Sequence, residues 1–147
     1  MIPARTLLES TGVSSRVVRG LLPDVEVEAT HVHAIPRWMR WALFPGVVAI
    51  ALPGRIFVLA DALERRDPRL GALIVHELAH VAQWRRHGAL RFLALYLGAY
   101  LRARRRGLPH REAYRSIPLE REAVAVASAA LARLRPRSGT PTRDRRL

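Results

Sequence analysis

The chain has 147 residues, which predicts a single domain, and half of them are hydrophobic, enough to bury a core. It contains no cysteine, which excludes disulfides and thiolate metal sites and leaves histidine and carboxylate side chains as metal ligands. The formal net charge is +13, and all 25 basic residues are arginine, so attraction to polyanions such as nucleic acid or anionic lipid is expected.

Targeting and membrane-spanning signals are missing from the sequence. Residues 1–10 lack an apolar run and include Glu9, unlike a secretory signal. The longest uncharged stretch, residues 41–54, is interrupted by Pro45, Gly46 and Pro53, whereas a spanning helix needs about 20 apolar residues. We therefore expect a soluble, cytoplasmic protein.

The N-terminal third carries short, weak signals. Ser14 and Ser15 predict the start of a short helix that ends at Pro23, and residues 25–30 alternate in polarity, which predicts a strand with one wet face. His31 and His33 follow at the same parity and share a face. They could bind a metal, but a polar strand end is the favoured interpretation because no third ligand is nearby.

Two apolar segments precede the main helix. Residues 38–44 are predicted to form one or two helical turns whose aromatic side chains either cover the core, which is the favoured interpretation, or contact a membrane surface. Residues 47–59 predict a β-hairpin, because two runs of β-forming residues flank Pro53-Gly54.

Residues 67–88 predict a helix that contains the pattern H-E-x-x-H. Asp67 is a capping residue, Pro68 suits the first helical position, and Gly88 marks the end. His76 and His80 are one turn apart, about 6 Å along the axis, so both imidazoles can converge on one Zn²⁺.

Glu77 lies about 100° round the helix from His76, which suits a general base better than a third ligand. Its carboxylate could take a proton from a water that zinc activates, so the pattern encodes two ligands and a base. The competing interpretation is two surface histidines on an ordinary helix. Apolar residues cover most of the helix circumference, however, so the helix should be buried, where these polar groups need partners.

The third ligand must come from elsewhere, because Gln83 and Arg86 replace the glycine and histidine that continue the metzincin pattern. His87 lies roughly 10 Å further along the helix than His80 and cannot reach the same ion.

Residues 89–106 predict a second long helix with an apolar stripe and a cluster of arginines at its C-terminal end. Its stripe contains Leu90, Leu93, Ala94, Leu97, Tyr100 and Leu101. A helix whose stripe packs on the core is favoured, because the domain needs that apolar surface. An apolar helix followed by arginines also describes a peripheral membrane anchor.

The C-terminal part predicts a short helical turn at residues 110–115, a last helix at 116–134 and a disordered basic tail at 136–147. We therefore assign one domain to residues 1–135. Tyr114 is a candidate hydrogen-bond donor to a tetrahedral intermediate, although a structural role is the favoured interpretation.

Glu120 and Glu122, on the last helix, compete for the role of third ligand. On a helical wheel, Glu120 lies within about 40° of Val124, Ala127, Leu131 and Leu134, in the core-facing stripe. Glu122 lies about 160° away, on the face expected to meet water. A carboxylate in an apolar stripe needs a metal, a proton or an arginine partner, and zinc held by His76 and His80 is the favoured one.

Two motif blocks also resemble a known family. The runs His76-Glu77-Leu78-Ala79-His80-Val81-Ala82-Gln83 and Leu119-Glu120-Arg121-Glu122-Ala123 are similar to the small bacterial gluzincin-type zinc metallopeptidase domains with a later E-x-E-A block. The resemblance covers residues 20–135. It implies zinc bound by His76, His80 and Glu120, with Glu77 as the catalytic base. Relatives often carry an aspartate after this block, where this chain has Val124.

The family likeness also implies a cleft strand that pairs with extended substrate, which would be residues 56–59, including Ile56, Phe57 and Val58. A plain buried strand is an equally good interpretation. We expect an α+β, zincin-like fold in which a small antiparallel sheet packs on the buried H-E-x-x-H helix and further helices.

The expected function is zinc-dependent hydrolysis of peptide bonds in a peptide or protein substrate. The alternative is a non-enzymatic basic adaptor that binds nucleic acid or an anionic membrane through its arginine clusters, with a structural or vestigial zinc site. Against this alternative, the arginines are not interleaved with aromatic residues as in single-strand binders, and no specific nucleic acid is predicted as a partner.

Overall fold

A computed structural model describes residues 1–36, 38–39 and 47–134. Within these ranges the chain is an α+β protein with seven helices and a four-stranded sheet. The predicted tail at 136–147 and most of the predicted apolar segment at 38–44 lie outside the described residues. Trp38 is described and is 69% exposed, so the predicted burial is wrong for this aromatic residue. None of the helices in the described ranges has the length and apolar content needed to cross a bilayer.

In the described residues the chain begins with a short strand, followed by two short helices, three strands and then five helices. The strands are β1 (Ile2–Pro3), β2 (His31–Ile35), β3 (Ala49–Leu52) and β4 (Arg55–Leu59). The helices are α1 (Ala4–Ser10), α2 (Ser15–Leu21), α3 (Ala60–Glu64), α4 (Pro68–His87), α5 (Ala89–Arg105), α6 (His110–Arg115) and α7 (Pro118–Ala132). The predicted hairpin and the predicted helices after residues 14, 67, 88, 109 and 117 are confirmed.

The sheet is mixed, so the predicted antiparallel sheet is wrong in part. Its strand order is β1-β2-β4-β3. Strands β3 and β4 form the antiparallel hairpin, and β1 pairs antiparallel with β2, but β4 lies parallel to β2, with Val32 opposite Ile56. The second strand of the hairpin takes the place beside β2, and this leaves β3 at the edge of the described sheet.

The strand predicted at residues 25–30 is wrong. Val25 and Val27 are buried and Glu26 and Glu28 are exposed, as the alternation suggests. The backbone nevertheless forms a turn, because the N–H groups of residues 29 and 30 both donate to the Glu26 carbonyl, at 3.1 and 3.0 Å. Any extended segment that lies on the core can bury every second side chain. A β-strand must in addition form backbone hydrogen bonds with a neighbouring strand. The strand begins afterwards, at residue 31.

Helix α4 is the central element, with α7 as its most extensive neighbour and β3 and α1 also in contact. The Asp67 side chain accepts hydrogen bonds from the N–H groups of residues 69 and 70, and Gly88, with φ of 73°, ends the helix. Ile74, Val75 and Leu78 are fully buried. The predicted buried helix is therefore confirmed, and its burial places His80 in the core and His76 at the margin of the core.

Helix α5 contacts the protein through a different face from the predicted one. Phe92 and Ala103 are buried, while Leu90 is 87% exposed and Leu97 is 54% exposed. The inward face is aromatic: Phe92 stacks on Trp84 with ring centroids 4.2 Å apart, beside Ile117 and Leu119. An aromatic contact thus decides the rotation of this helix, and the predicted packed stripe of leucines points away from the core.

Gly71 of α4 lies against the segment that follows α1. A Cβ added there would lie 2.6 Å from both the Thr11 Oγ1 and the Val13 Cγ2 atoms, well inside van der Waals contact. We predict that Gly71→Ala lowers the free energy of unfolding by about 1–3 kcal/mol, because the segment after α1 must move aside. Denaturant unfolding followed by circular dichroism measures the change.

Gly20→Ala is the matched control. Nothing lies within 4 Å of a Cβ built at Gly20, which is in α2. The substitution should leave stability unchanged or raise it by up to about 1 kcal/mol through helix propensity. Equal destabilisation by both substitutions would contradict the close contact at Gly71.

Candidate metal centre

The two histidines of the H-E-x-x-H pattern lie side by side on one face of α4. Their Nε2 atoms are 3.1 Å apart, with ring centroids 4.8 Å apart and the rings nearly perpendicular. His80 is buried and His76 is half-buried. One turn of helix therefore brings two imidazole nitrogens to a single point, as the spacing predicts.

Helix α7 brings Glu120 to the same point. The Glu120 Oε2 atom is 3.2 Å from the His76 Nε2 atom, and its Oε1 atom is 3.1 Å from the His80 Nε2 atom. Glu120 is only 3% exposed. In residues 1–36, 38–39 and 47–134, these three side chains form the one group of three or more potential ligands close enough to share a metal ion.

The spacing of these donor atoms fits a tetrahedral zinc ion. Ligands bound at 2.0–2.1 Å in tetrahedral geometry are about 3.3 Å from one another. The His76 and His80 Nε2 atoms are 3.1 Å apart, and each has a different oxygen of the Glu120 carboxylate 3.1–3.2 Å away; one donor atom from each residue can be chosen so that all lie within 4.8 Å of one another. Two imidazoles and one carboxylate are also ligand types that zinc prefers. The three predicted ligands are therefore brought together in a suitable arrangement.

Gln83 fixes the protonation pattern of His80. The fully buried Gln83 amide donates through Nε2 to the Leu119 carbonyl at 2.9 Å and to the Glu122 carboxylate at 3.1 Å. Its Oε1 atom must then face His80, and the His80 Nδ1–H donates to it at 2.8 Å. Neutral His80 consequently carries its lone pair on Nε2, the atom that points at the centre.

The cluster combines two imidazoles with a buried carboxylate, so a bound cation would stabilise it. Burial alone would lower the pKa of His80, but the hydrogen bond to Glu120, the charge of Glu120 and the hydrogen bond to Gln83 together outweigh burial and raise that pKa. Burial alone would raise the pKa of Glu120, but hydrogen bonds from His76 and His80 bring it far below its ordinary range. A proton can supply the missing charge, and so can a metal ion.

Glu77 lies beside the cluster but outside the ligand group. It is 5% exposed, and it couples electrostatically to His80, His76 and Glu120. Burial raises its pKa, partly offset by the two histidines. A carboxylate in this position can hold or release a proton close to the centre without occupying a ligand position, as predicted for the base.

Tyr96 is a residue of the centre that the sequence analysis missed. Its hydroxyl donates to the Glu120 Oε1 atom at 2.5 Å, and burial together with Glu120 raises its pKa. The predicted candidate, Tyr114, is 40% exposed and its ring centroid lies 6.4 Å from that of Tyr96. The four-residue spacing of Phe92 and Tyr96, on one face of α5, is the signal that could have identified it.

Glu122 has a supporting position rather than a purely solvent-facing one. Its carboxylate accepts from Gln83 and from Arg86, whose Nη1 atom is 2.9 Å away. Thus the first glutamate of the E-x-E-A block lies at the centre, and the second holds the amide that orients His80.

The wheel for α7 is partly wrong, because it placed Val124 in the core-facing stripe. Val124 is 54% exposed. The rest of the predicted stripe does face the core, since Ala127 is buried and Leu131 and Leu134 are partly buried, and Ala123 and Ala130 are buried as well. The small side chains allow α7 to approach α4 closely, so the core-facing stripe is rotated from the predicted one.

Strand β4 is not available for pairing with substrate. The prediction that Ile56, Phe57 and Val58 bind an extended peptide by strand pairing is therefore wrong. β4 pairs with β2 on one side and β3 on the other, and Ile56 and Val58 are fully buried. Only an edge strand can accept another strand. In the described sheet the edge beside α4 is β3, where the Ala51 carbonyl already accepts a hydrogen bond from Trp84 at 3.1 Å.

The other predicted histidine pair lies elsewhere. His31 donates from Nδ1 to the Ala29 carbonyl at 3.0 Å, and His33 stacks on Phe57 with ring centroids 5.1 Å apart. Neither belongs to a group of potential ligands within the described residues. The interpretation of these residues as a polar strand end agrees with these contacts.

An open cavity of about 430 Å³ adjoins Glu120. It is lined by Tyr114, Arg115, Glu120, Arg121, Val124 and Ala125. The cavity gives a small molecule or a side chain a path to the outer side of the centre, next to two guanidinium groups.

Comparisons with models of known protein families, with curated proteins and with solved structures found no match to this chain.

We predict that the purified protein binds one zinc ion per chain and that His76→Ala, His80→Ala and Glu120→Ala each abolish binding at neutral pH. Each removes one of three ligands. Glu122→Ala should retain the metal, with affinity reduced by at most about 100-fold through Gln83. Metal analysis by mass spectrometry and competition with a chelator measure both quantities. Full zinc content in Glu120→Ala, or its loss only in Glu122→Ala, would contradict the assignment.

We also predict that zinc affinity falls as pH decreases from about 8 to about 6. Protons compete with zinc for the Nε2 lone pairs, and Glu120 raises the pKa of His80, so competition begins above the ordinary histidine pKa of about 6.5. The apparent dissociation constant should rise by about tenfold per pH unit for each histidine that must lose a proton. Chelator competition across this range is the measurement, and a constant affinity would contradict histidine ligation.

Proposed function

We propose that this protein is a zinc-dependent metallopeptidase of gluzincin type with a zincin-like arrangement of helix and sheet. The observation that carries the proposal is the convergence of His76, His80 and Glu120 within 3.1–3.2 Å of one another, with the buried carboxylate of Glu77 alongside. The packing of α4 on α7 and on strand β3 supports the proposed fold assignment.

The number of ligands favours a catalytic centre over a structural one. Structural zinc sites fill all four positions with protein ligands, whereas catalytic sites use three and leave one open. The described chain offers three ligands here, and Glu77 lies beside them rather than among them. The absence of cysteine from the sequence also argues against a structural site of the usual kind.

Glu77 has the properties of a general base and acid. When bound, zinc would polarise the scissile carbonyl and lower the pKa of a water molecule. The Glu77 carboxylate accepts the proton of the attacking water and later donates it to the leaving amine. Its raised pKa, caused by burial, suits both transfers, because the carboxylate is more basic than a solvent-exposed one.

Two tyrosine hydroxyl groups provide candidate hydrogen-bond donors to the developing oxyanion. Tyr96 donates to Glu120 and is the more deeply placed, while Tyr114 is partly exposed beside the cavity. We assign the oxyanion contact to Tyr114, because Tyr96 is committed to orienting Glu120. The position of Tyr114 in the lining of the cavity beside Glu120 supports the hypothesis that its hydroxyl donates to a tetrahedral intermediate.

Substrate is proposed to be an extended peptide that lies along α4 near the edge strand β3. Arg115 and Arg121 line the cavity next to Glu120, so an acidic side chain is favoured there. The competing proposal, a non-enzymatic basic adaptor with a vestigial zinc site, draws support from the net charge of +13. It gives no reason for a buried carboxylate next to three metal ligands.

We predict that Glu77→Gln retains one zinc per chain and the native circular dichroism spectrum but lowers kcat/KM by about 10²–10⁴, because an amide cannot accept the proton. Hydrolysis of a fluorescently labelled casein measures the rate. The matched control is Glu112→Gln, an exposed glutamate on α6, which should leave the rate unchanged.

If the protein is a basic adaptor, Glu77→Gln should have no effect on its function, because binding to a polyanion does not use this carboxylate. Cleavage by Glu77→Gln at the wild-type rate would show that Glu77 is not the base. Zinc-loaded wild-type protein that hydrolyses no peptide bond in a library of unfolded proteins would favour the adaptor.

A further inference from the structure

Helix α5 exposes a row of leucines that the centre does not use. The row consists of Leu90, Leu93, Leu97 and Leu101, which are 87%, 43%, 54% and 50% exposed. We call these four residues the leucine stripe. Exposed single leucines are ordinary, but four in one row on one helix form a continuous apolar surface, which marks an interaction site.

The leucine stripe lies opposite the face that holds α5 on the domain. Successive members are separated by three, four and four residues, so they share one side of the helix. On a wheel, their centre is about 150° from Phe92, whose ring is buried against Trp84. The helix is therefore anchored by one apolar face and presents a second one outward, so the core cannot cover both.

The surroundings of the leucine stripe are strongly cationic. Residues 78–111 contain no aspartate or glutamate. The same segment contains Arg85, Arg86, Arg91, Arg102, Arg104, Arg105, Arg106 and Arg111. The five arginines from position 91 to position 106 are all exposed and flank or follow the stripe. A binding partner of this surface must therefore offer an apolar environment for the leucine side chains and carry negative charge.

A second copy of the chain does not meet this requirement. Parallel pairing of two copies through the leucine stripe would put one arginine cluster against the other, and antiparallel pairing would put the cluster of one copy near Arg91 of the other, with no acidic residue on α5 to offset either contact. Like charges across an interface disfavour such a pairing. A bilayer that contains anionic lipid offers acyl chains for the leucines and phosphate groups for the arginines, so it complements both features.

We propose that α5 is an interfacial helix that docks the domain onto an anionic membrane surface through the leucine stripe. A helix of 17 residues is about 25 Å long and lies flat in the headgroup region, with the arginines reaching the lipid phosphates. The helix does not cross the bilayer, because its charged residues and its attachment to α4 hold it at the surface.

Docking in this way would hold the metal centre close to the membrane. The Phe92 and Tyr96 rings on the inner face of α5 have centroids 6.2 and 6.3 Å from that of His80. The centre is then about one helix diameter, 10–12 Å, from the lipid headgroups. If the proposed peptidase function holds, its substrates are membrane-proximal segments, whereas the docking itself does not depend on catalysis.

The test uses the full chain and vesicles of phosphatidylcholine with or without phosphatidylglycerol, and cosedimentation gives the partition coefficient. Wild type should bind the anionic vesicles, with affinity that falls as salt increases, and should not bind pure phosphatidylcholine. Leu97→Ser should reduce partitioning about tenfold through lost apolar burial. Leu95→Ser is the matched control: Leu95 is 40% exposed on the same helix but outside the stripe, and its loss should have little effect.

A charge variant tests the second half of the proposal. Arg104→Ser should weaken binding to anionic vesicles about fivefold, while its zinc content stays at the wild-type value. Three results would overturn the proposal. These are no binding of wild type to anionic vesicles, equal losses in Leu95→Ser and Leu97→Ser, and a dimer in solution that Leu97→Ser dissociates. Zinc content and casein hydrolysis are measured separately, so failure of docking is distinguishable from failure of the peptidase function.

Discussion

The organising interaction in this protein is the meeting of three electron-rich side chains from two packed helices. His76 and His80 on α4 and Glu120 on α7 place their donor atoms 3.1–3.2 Å apart inside the core. Burying such groups costs free energy unless a cation or proton joins them. Everything else in the local structure makes this convergence possible: the close packing of α7 through small alanines, and the burial of α4 on both sides.

A set of outer hydrogen bonds fixes the geometry of the centre. The Gln83 Oε1 atom accepts a hydrogen bond from the His80 Nδ1–H group, and the Gln83 amide donates to the Glu122 carboxylate. Arg86 donates to the same carboxylate and balances its charge. On the opposite side, Tyr96 holds Glu120. Such partners orient ligands and select the tautomer in metal sites generally. Here they join α4, α5 and α7, so the same contacts that position the ligands also connect the helices.

Helix α5 links the two proposals that the structure supports. Its aromatic face lies beside the candidate metal centre, and its leucine stripe faces outward beside the arginine clusters. Helix α5 is apolar on two opposite faces, and the domain covers only one of them. This division of roles explains why the sequence has an apolar pattern broader than one packed face requires.

The sequence by itself determined the elements and residues whose signals are local. The Asp67 cap, the Gly88 terminus, the hairpin turn at Pro53-Gly54 and the convergence of His76 and His80 all follow from spacing along one segment. Glu120 was also identified, because a carboxylate in an apolar stripe needs a partner wherever the helix packs. Tertiary structure alone decided the parallel pairing of β2 with β4, the turn at residues 25–30, the rotation of α5, and the roles of Gln83, Tyr96 and Glu122. These features depend on which distant surface each face meets, and a periodic pattern does not identify that surface.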